Sequence, residues 1–116
     1  MRKNNTKIIL LHMLEDLTDI ETFTTGINID MFRESPLLKK AVSLSLLNIG
    51  ELAQSLPDDL LRRNNDIPWP AIISLRNRAA HGYHTLDPSI LWEIAQNDIK
   101  PLLKAVRQEI ENVDNE

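Results

Sequence analysis

Apolar residues recur at helical spacing near the beginning of the chain. In residues 7–24, one stripe with a repeat of about 3.6 residues consists of Ile9, Leu10, Met13, Leu14, Leu17 and Ile20. This spacing predicts an amphipathic helix. The segment "TTGINID" that follows predicts a loop, with Gly26 as the helix terminator because glycine readily adopts the left-handed conformation there.

A second helix is predicted from Ser35, as N-cap, to about Leu56, with Pro36 in its first turn. Its core stripe consists of Leu38, Val42, Leu46, Ile49, Leu52, Ala53 and Leu56. A second arc holds Leu44 and Leu47 together with Asn48, Glu51 and Ser55. The narrow solvent face that remains is expected to hold Lys39, Ser43, Gly50 and Gln54. Two interpretations stay open: a central bundle helix with polar residues at its rim, or a dimer interface that borders a polar site.

The remainder of the chain also has helical patterns separated by prolines. A short helical turn is predicted after Pro57, and a third long helix runs from about Pro70 to Gly82. Asp87 and Pro88 form an N-cap and first turn for the last helix. The apolar set of that helix is Trp92, Ala95, Ile99, Leu102, Val106, Ile110 and Val113.

Within the last helix, Pro101 is expected to cause a kink, because it removes the hydrogen bond to the carbonyl of Asn97. The tail "ENVDNE" is expected to fray. The patterns together predict an all-α fold, a helical bundle of four main helices plus a short helical turn, with residues 1–116 in one domain.

Composition supports this fold class and narrows the function. Of the 116 residues, 42% are apolar and 26% charged, and only three are glycine. No apolar run is long enough to cross a bilayer, and the basic N-terminus lacks the pattern of a secretory signal, so we expect a cytoplasmic protein. The absence of cysteine excludes disulfides and thiolate chemistry. The net charge of −4 argues against a general nucleic-acid binder.

One short segment, "RNRAAHGYHTLDP" at residues 76–88, concentrates most of the potential chemistry. Its polar side chains are Arg76, Asn77, Arg78, His81, Tyr83 and His84. Arginine presents a planar fork to phosphate oxygens, histidine exchanges protons near neutral pH, and tyrosine can donate a hydrogen bond or stack on a base. This set suits cleavage of an RNA phosphodiester by the ribose 2′-hydroxyl without a metal or cofactor.

Helix geometry leaves the assembly of this site open. On one continuous helix Arg76 and His81 point about 140° apart. Either the helix breaks near Gly82 and redirects His81, or a second copy of the chain completes the site. The two-faced second helix favours the dimer.

Two other interpretations compete with this one. Arginine and histidine are favoured at a helix C-terminus by the helix dipole alone. The spacing of His81, His84 and Asp87 also fits a metal site, although the helix is expected to end between the histidines and Asp87 already serves as a cap.

The segment "RNRAAHGY" resembles the signature of the HepT-like family of HEPN-domain proteins: an arginine, four residues, a histidine, one residue and a tyrosine. These are Arg76, His81 and Tyr83. The blocks "IGELAQSL" (49–56), "IPWPAIISLRNRAAHGY" (67–83) and "DPSILWEIAQNDIKPLL" (87–103) are similar to that family's blocks in order and spacing. The resemblance covers about residues 5–112 and implies a HEPN-type fold and a homodimer whose two motifs line one cleft.

The resemblance also implies an activity and a role for each matched residue. The family contains metal-independent endoribonucleases, the toxins of HEPN/nucleotidyltransferase (MNT) toxin–antitoxin modules. By match, Arg76 would orient and neutralise the scissile phosphate and His81 would act as acid or base, with Asn77 and Arg78 in support. Glu51 would either orient His81 or pair with an arginine. Tyr83 would receive AMP from the partner nucleotidyltransferase, which would block RNA access.

The same residues fit two further functions. A non-catalytic HEPN subunit of a nucleotidyltransferase would use them to bind nucleotide or RNA without cleavage. A purely structural helical dimerisation domain would need them only for stability.

Overall fold

A computed structural model of the chain describes residues 2–80 and 87–115, and every regular element in these ranges is helical. The helices are α1 (Arg2–Thr24), α2 (Ile29–Arg33), α3 (Pro36–Gln54), α4 (Asp58–Arg63), α5 (Trp69–Ala80), α6 (Pro88–Glu93) and α7 (Ile99–Asp114). A π-helical turn, Ile94–Asp98, joins α6 to α7. The all-α prediction is confirmed. The four main helices correspond to α1, α3, α5 and the α6–α7 unit, and the short helical turn corresponds to α4.

The bundle is organised around α1 and α3. Helix α3 packs against α1 on one side and α5 on another, while α1 also packs against α7. The predicted apolar stripes form the shared core between them. Its fully buried side chains include Leu10, Met13, Leu17, Ile20, Val42, Leu46, Ile49, Leu102 and Val106.

Local capping signals in the sequence are used as predicted. The Ser35 hydroxyl accepts a hydrogen bond from the Leu38 N–H at 3.1 Å, and Pro36 opens α3. The Asp87 carboxylate accepts from the Ser89 N–H at 2.8 Å, and Pro88 opens α6. Gly26 has φ +79° just beyond α1, the left-handed conformation expected of a terminator.

Several predicted boundaries are wrong, and the tertiary contacts explain them. Helix α1 begins at Arg2 rather than at residue 7, and its Lys7 pairs with Asp114 at 2.5 Å. That ion pair, together with the buried Val113, holds the tail that was expected to fray in α7. The predicted loop contains α2, because the Asn28 side chain caps it and Phe32 packs against the ring of Trp92.

A kink was expected at Pro101, and the structure shows a change of helical register just before it. The π-helical turn leads directly into α7, because the Ile99 N–H bonds the Ile94 carbonyl five residues back, and Pro101 follows as the third residue of α7. None of the described helices combines the length and the apolar character that a membrane crossing requires.

A polar contact that the sequence pattern does not predict joins α4 to α7. Arg63 donates two hydrogen bonds, of 3.0 and 2.7 Å, to the buried Glu109 carboxylate, and the Asn64 amide donates a third at 2.8 Å. Burial raises the pKa of Glu109, but these hydrogen bonds and the Arg63 charge outweigh it and hold the pKa below its ordinary value. The pair fixes α4, and with it the start of α5, where the Trp69 indole N–H bonds to backbone carbonyls of Leu61 and Asn64.

Candidate functional site

The candidate site is built where α5 crosses α3 at very close range. Gly50 is buried at this crossing. A Cβ atom added to Gly50 would lie 2.7 Å from the backbone nitrogen of Arg76, 2.9 Å from its Cβ and 3.1 Å from the Ile73 carbonyl oxygen. Only a residue without a side chain permits this approach. The crossing therefore brings the backbone of Arg76 directly against α3.

Close packing places Arg76 beside the residue that follows Gly50. The Arg76 Nε donates to the Glu51 carboxylate, an ion pair that joins α5 to α3 across 25 positions of sequence. Its Nη1 donates to the Asn77 side-chain oxygen at 3.3 Å. Of the two roles left open for Glu51, pairing with an arginine is present, while the orientation of His81 lies outside the described residues and stays a prediction.

The guanidinium of Arg76 keeps unused hydrogen-bonding capacity. Its side chain is 44% exposed and that of Glu51 45%. Arginine has five N–H donors. Within residues 5–79 and 87–115, the hydrogen bonds to Glu51 and Asn77 engage two of them and leave three. An arginine fixed at one edge and open at the other can bind an anion such as a phosphate without losing its orientation.

A second polar contact lies one helical turn before Glu51. The Asn48 side chain hydrogen-bonds the carboxylate of Asp16, which joins α1 to the same face of α3. Burial raises the pKa of Asp16, and the neighbouring Asp19 and Glu15 add to the rise, while the Asn48 bond and the His12 charge oppose it. The pKa of Asp16 lies above its ordinary value. The polar face predicted on α3 therefore extends to α1.

Arg78 lies away from this cluster. Its exposed side chain lines a groove of about 450 Å³ between α5 and the α6–α7 unit, with an apolar wall that includes Ile72, Leu75 and Ile94. Residues two apart on a helix point about 200° apart. Arg78 was expected to support the site of the catalytic Arg76, but the structure places the two arginines on different sides of α5.

The other predicted site residues fall outside the described part of the chain. His81, Tyr83 and His84 lie in residues 81–86, so the role proposed for each stays a prediction. Asp87, the third member of the alternative metal spacing, is the N-cap of α6. Among the described residues, no group of three or more histidines or carboxylates could hold a metal ion.

Sequence reasoning misplaced two residues near the site. Gly50 and Ser43 were expected on a solvent face of α3, but both are buried, and at Gly50 the backbone of α5 provides the cover. A glycine in the middle of a helix lowers the stability of the helix by about 1 kcal/mol relative to alanine. The presence of glycine at position 50 of a long helix therefore indicated a packing role. Asp16 carried no comparable signal, since its position on α1 lies beside the apolar stripe rather than on it.

Comparison with known proteins identifies the family. The family model described as "Ribonuclease HepT-like" matches residues 13–109. The chain belongs to the HepT-like ribonuclease family. The match covers α3 and α5, so the contacts among Gly50, Glu51 and Arg76 lie within the HepT-like part of the chain.

Relatives of this HepT-like chain include proteins of Methanocaldococcus jannaschii and Thermococcus cleftensis. A Methanocaldococcus jannaschii protein whose name proposes RNase activity is 30% identical over 116 residues, covering 100% of this chain and 96% of its own length. A Thermococcus cleftensis protein whose name proposes the ribonuclease HepT is 32% identical over 93 residues, covering 77% of this chain and 84% of its own. No solved structure matches the chain with statistical significance.

Proposed function

We propose that this chain is a metal-independent endoribonuclease that acts on cytoplasmic RNA through Arg76 and His81. The observation that carries the proposal is the half-exposed Arg76 side chain in a member of a ribonuclease family. Glu51 and Asn77 anchor it, and among the described residues no other group engages its remaining three N–H donors. Arginine in this state is ready to bind the scissile phosphate and neutralise the charge that develops on it.

The reaction needs two proton transfers and one displacement at phosphorus. The ribose 2′-hydroxyl oxygen attacks the phosphorus and loses its proton, the P–O5′ bond breaks, and the 5′-oxygen takes up a proton. Arg76 binds the non-bridging oxygens, and His81 is proposed to exchange protons with the 2′-hydroxyl or the leaving oxygen. The products are a 2′,3′-cyclic phosphate and a 5′-hydroxyl. Arg78 is proposed to contact the RNA beside the groove that it lines.

We propose a homodimer that forms through the exposed side of α3. Leu37 and Leu44 are 75% and 60% exposed, although both are large apolar side chains. They precede Glu51 by fourteen and seven residues, a spacing that places all three on one line along the helix. A second copy that covers these leucines also reaches the Glu51–Arg76 pair, which suits a cleft shared by two chains.

Replacing Leu44 with lysine is expected to weaken this dimer by about 100-fold or more. The charge is buried twice in a two-fold interface, without a partner in either position. Analytical ultracentrifugation of the wild type and of Leu44→Lys over a range of concentrations measures the effect. Leu11→Lys, at a 42% exposed leucine on α1, serves as the matched control. If Leu11→Lys dissociated the dimer while Leu44→Lys stayed dimeric, the interface would lie elsewhere than on α3.

Regulation by a nucleotidyltransferase completes the proposal. The chain is proposed to be the toxin of a HEPN/MNT toxin–antitoxin module, silenced when the partner enzyme attaches AMP to Tyr83. Tyr83 follows Arg76 by seven residues in sequence. Added phosphate near this arginine would compete with RNA for its open N–H groups.

The test of the activity is cleavage of a labelled, unstructured RNA in EDTA. We expect the wild type to cleave it and to leave 2′,3′-cyclic phosphate ends, and His81→Ala to be slower by about 100-fold or more, the typical contribution of a general acid or base. Equal rates for the two proteins would remove His81 from the mechanism, and loss of cleavage in EDTA that Mg²⁺ restores would show that a metal is required.

The same assay separates the endoribonuclease from the non-catalytic binding subunit. A wild type that binds RNA but does not cleave it, and that mass spectrometry shows to be free of AMP on Tyr83, would favour the binding subunit. A structural dimerisation domain would show neither binding nor cleavage, and substitution of Arg76 or His81 would change only its stability.

A further inference from the structure

Helix α7 carries a row of exposed cations on one face. Lys100, Lys104 and Arg107 are spaced four and three residues apart, and all three side chains are exposed. At this spacing they lie above one another, over about 10 Å of the helix axis. We call these three residues the α7 basic strip.

The α7 basic strip is not paired with any carboxylate of the part of the chain that the structure describes. None of its three side chains forms an ion pair within residues 5–79 and 87–115. Other cations of the same part of the chain do: Lys7 with Asp114, Arg33 with Asp30, Arg63 with Glu109 and Asp59, and Arg76 with Glu51. Since the chain has 17 acidic and 13 basic residues, partners for the strip were available in principle.

Neighbouring cations on a helix repel one another and so destabilise it slightly. This repulsion disappears when a chain of negative charges binds along the same face. The phosphates of a single strand of RNA follow one another at intervals comparable with one turn of a helix. The strip therefore matches the charge pattern of a nucleic-acid backbone better than that of a single small anion.

The surroundings of the strip leave room for such a strand. The three cations line a groove of about 420 Å³ with Gln108, bounded by α7 and the C-terminal part of α1. Glu21 and Glu111 also line it, so the cations outnumber the carboxylates by three to two. A second groove of about 440 Å³ shares Glu21 and Lys100 and continues past Thr25 and Gly26. Together the two grooves form a trough along this side of the molecule.

We propose that the α7 basic strip is a second RNA-binding surface, which holds phosphates of the strand outside the segment being cleaved. The proposal rests on the proposed function in one respect, that the ligand is RNA. The strip lies beside α1, whereas the Arg76–Glu51 pair joins α5 to α3. The longest dimension of the molecule is 45 Å, and 20 stacked nucleotides span about 70 Å, so one RNA of this length reaches both.

Salt dependence of RNA binding tests the strip. The probe is a fluorescent 20-nucleotide 2′-O-methyl RNA, which lacks the attacking hydroxyl and so stays intact, and binding is followed by anisotropy from 50 to 200 mM salt. The test variant is Lys100→Gln/Lys104→Gln/Arg107→Gln. The control, Lys7→Gln/Lys39→Gln/Arg62→Gln, changes net charge equally on α1, α3 and α4. Circular dichroism verifies that both keep the fold.

Each phosphate contact to a single strand contributes about −0.7 to the slope of log K against log salt. We expect the slope of the strip variant to be shallower than that of the wild type by about 2, so that the wild type loses about 20-fold more affinity over this salt range. The control should keep the wild-type slope. If the triple variant unfolds, Lys100→Gln/Lys104→Gln gives the same test with a slope change of about 1.4.

Three results would overturn the proposal. An unchanged slope in the strip variant would point to an acidic protein as the partner of this face. An equal change in the control would show that only net charge matters, and a wild type that does not bind the probe would exclude the surface altogether. Cleavage is measured separately, on ordinary RNA. If the protein bound RNA through the strip but did not cleave it, the proposed endoribonuclease activity would be refuted while the second RNA-binding surface would stand.

Discussion

Replacing Arg76 with lysine is expected to slow RNA cleavage by about 100- to 1000-fold, although the positive charge is kept. The ammonium of lysine is a single point of donation, whereas Arg76 holds Glu51 through Nε and Asn77 through Nη1 and still presents open N–H groups. Lysine can satisfy Glu51 or a phosphate, but not both in the same geometry. The measurement is single-turnover cleavage of a labelled RNA in EDTA.

Arg62→Lys is the matched control for this experiment. Arg62 is an exposed arginine on α4, away from the Arg76–Glu51 pair. Its replacement should leave the cleavage rate within about threefold of the wild type, as is usual for surface substitutions of small free-energy effect. If Arg76→Lys also cleaved within threefold, the phosphate role of Arg76 would be refuted.

Glu51→Gln refines the interpretation of the same experiment. The amide oxygen of glutamine can still accept the hydrogen bond from Arg76, but the charge that orients the guanidinium is lost. If Glu51 positions Arg76, the variant should cleave RNA more slowly. Its binding of uncleavable RNA should not weaken, because the substitution removes a negative charge from the phosphate site. Weaker RNA binding in this variant would contradict that role.

Substituting Gly50 with alanine is expected to destabilise the protein by about 1–3 kcal/mol, the usual cost of overpacking a close contact. The added Cβ would meet the Arg76 backbone nitrogen at 2.7 Å and the Ile73 carbonyl oxygen at 3.1 Å. Backbone atoms cannot rotate away, so α5 has to move from α3. Helix propensity alone predicts the opposite, a stability higher by about 1 kcal/mol for alanine than for glycine. The sign of the measured change in stability therefore distinguishes close packing from helix propensity.

Thermal unfolding followed by circular dichroism measures this change. We expect the midpoint to fall by roughly 5–10 °C for Gly50→Ala. Gln54→Ala, at an exposed position one turn further along α3, should shift it by no more than the small effect of a surface substitution. RNA cleavage should also slow in Gly50→Ala because the displaced backbone carries Arg76. A midpoint equal to or above that of the wild type would show that the helices tolerate the Cβ.

The prediction of the helices succeeded where the signal was local. Ser35 and Asp87 caps, the Gly26 terminator and the interruption at Pro101 each depend on the chemistry of a few consecutive residues. Helix α2 was missed because its five residues are too short to show a periodicity. Its stability comes from the packing of Phe32 on Trp92, sixty residues away in sequence.

For the candidate site, the sequence supplied the residues but not their arrangement. Arg76, Asn77 and Glu51 were all identified from side-chain chemistry and from the family resemblance. Periodicity measures angles around one helix axis, and so it does not specify which neighbouring helix covers a given face. For this reason the pairing of Glu51 with Arg76, and the placement of Arg78 on the other side of α5, required the packed structure.

The sequence by itself determined the all-α class, the faces that form the core and the HepT-like signature, because each is a property of spacing along one chain segment. The tertiary structure decided which face of α3 is covered by α5, why Gly50 must lack a side chain, and how the buried Glu109 is held by Arg63. These features arise from contacts between distant segments. They depend on the angle and distance at which two helices cross, which no single segment encodes.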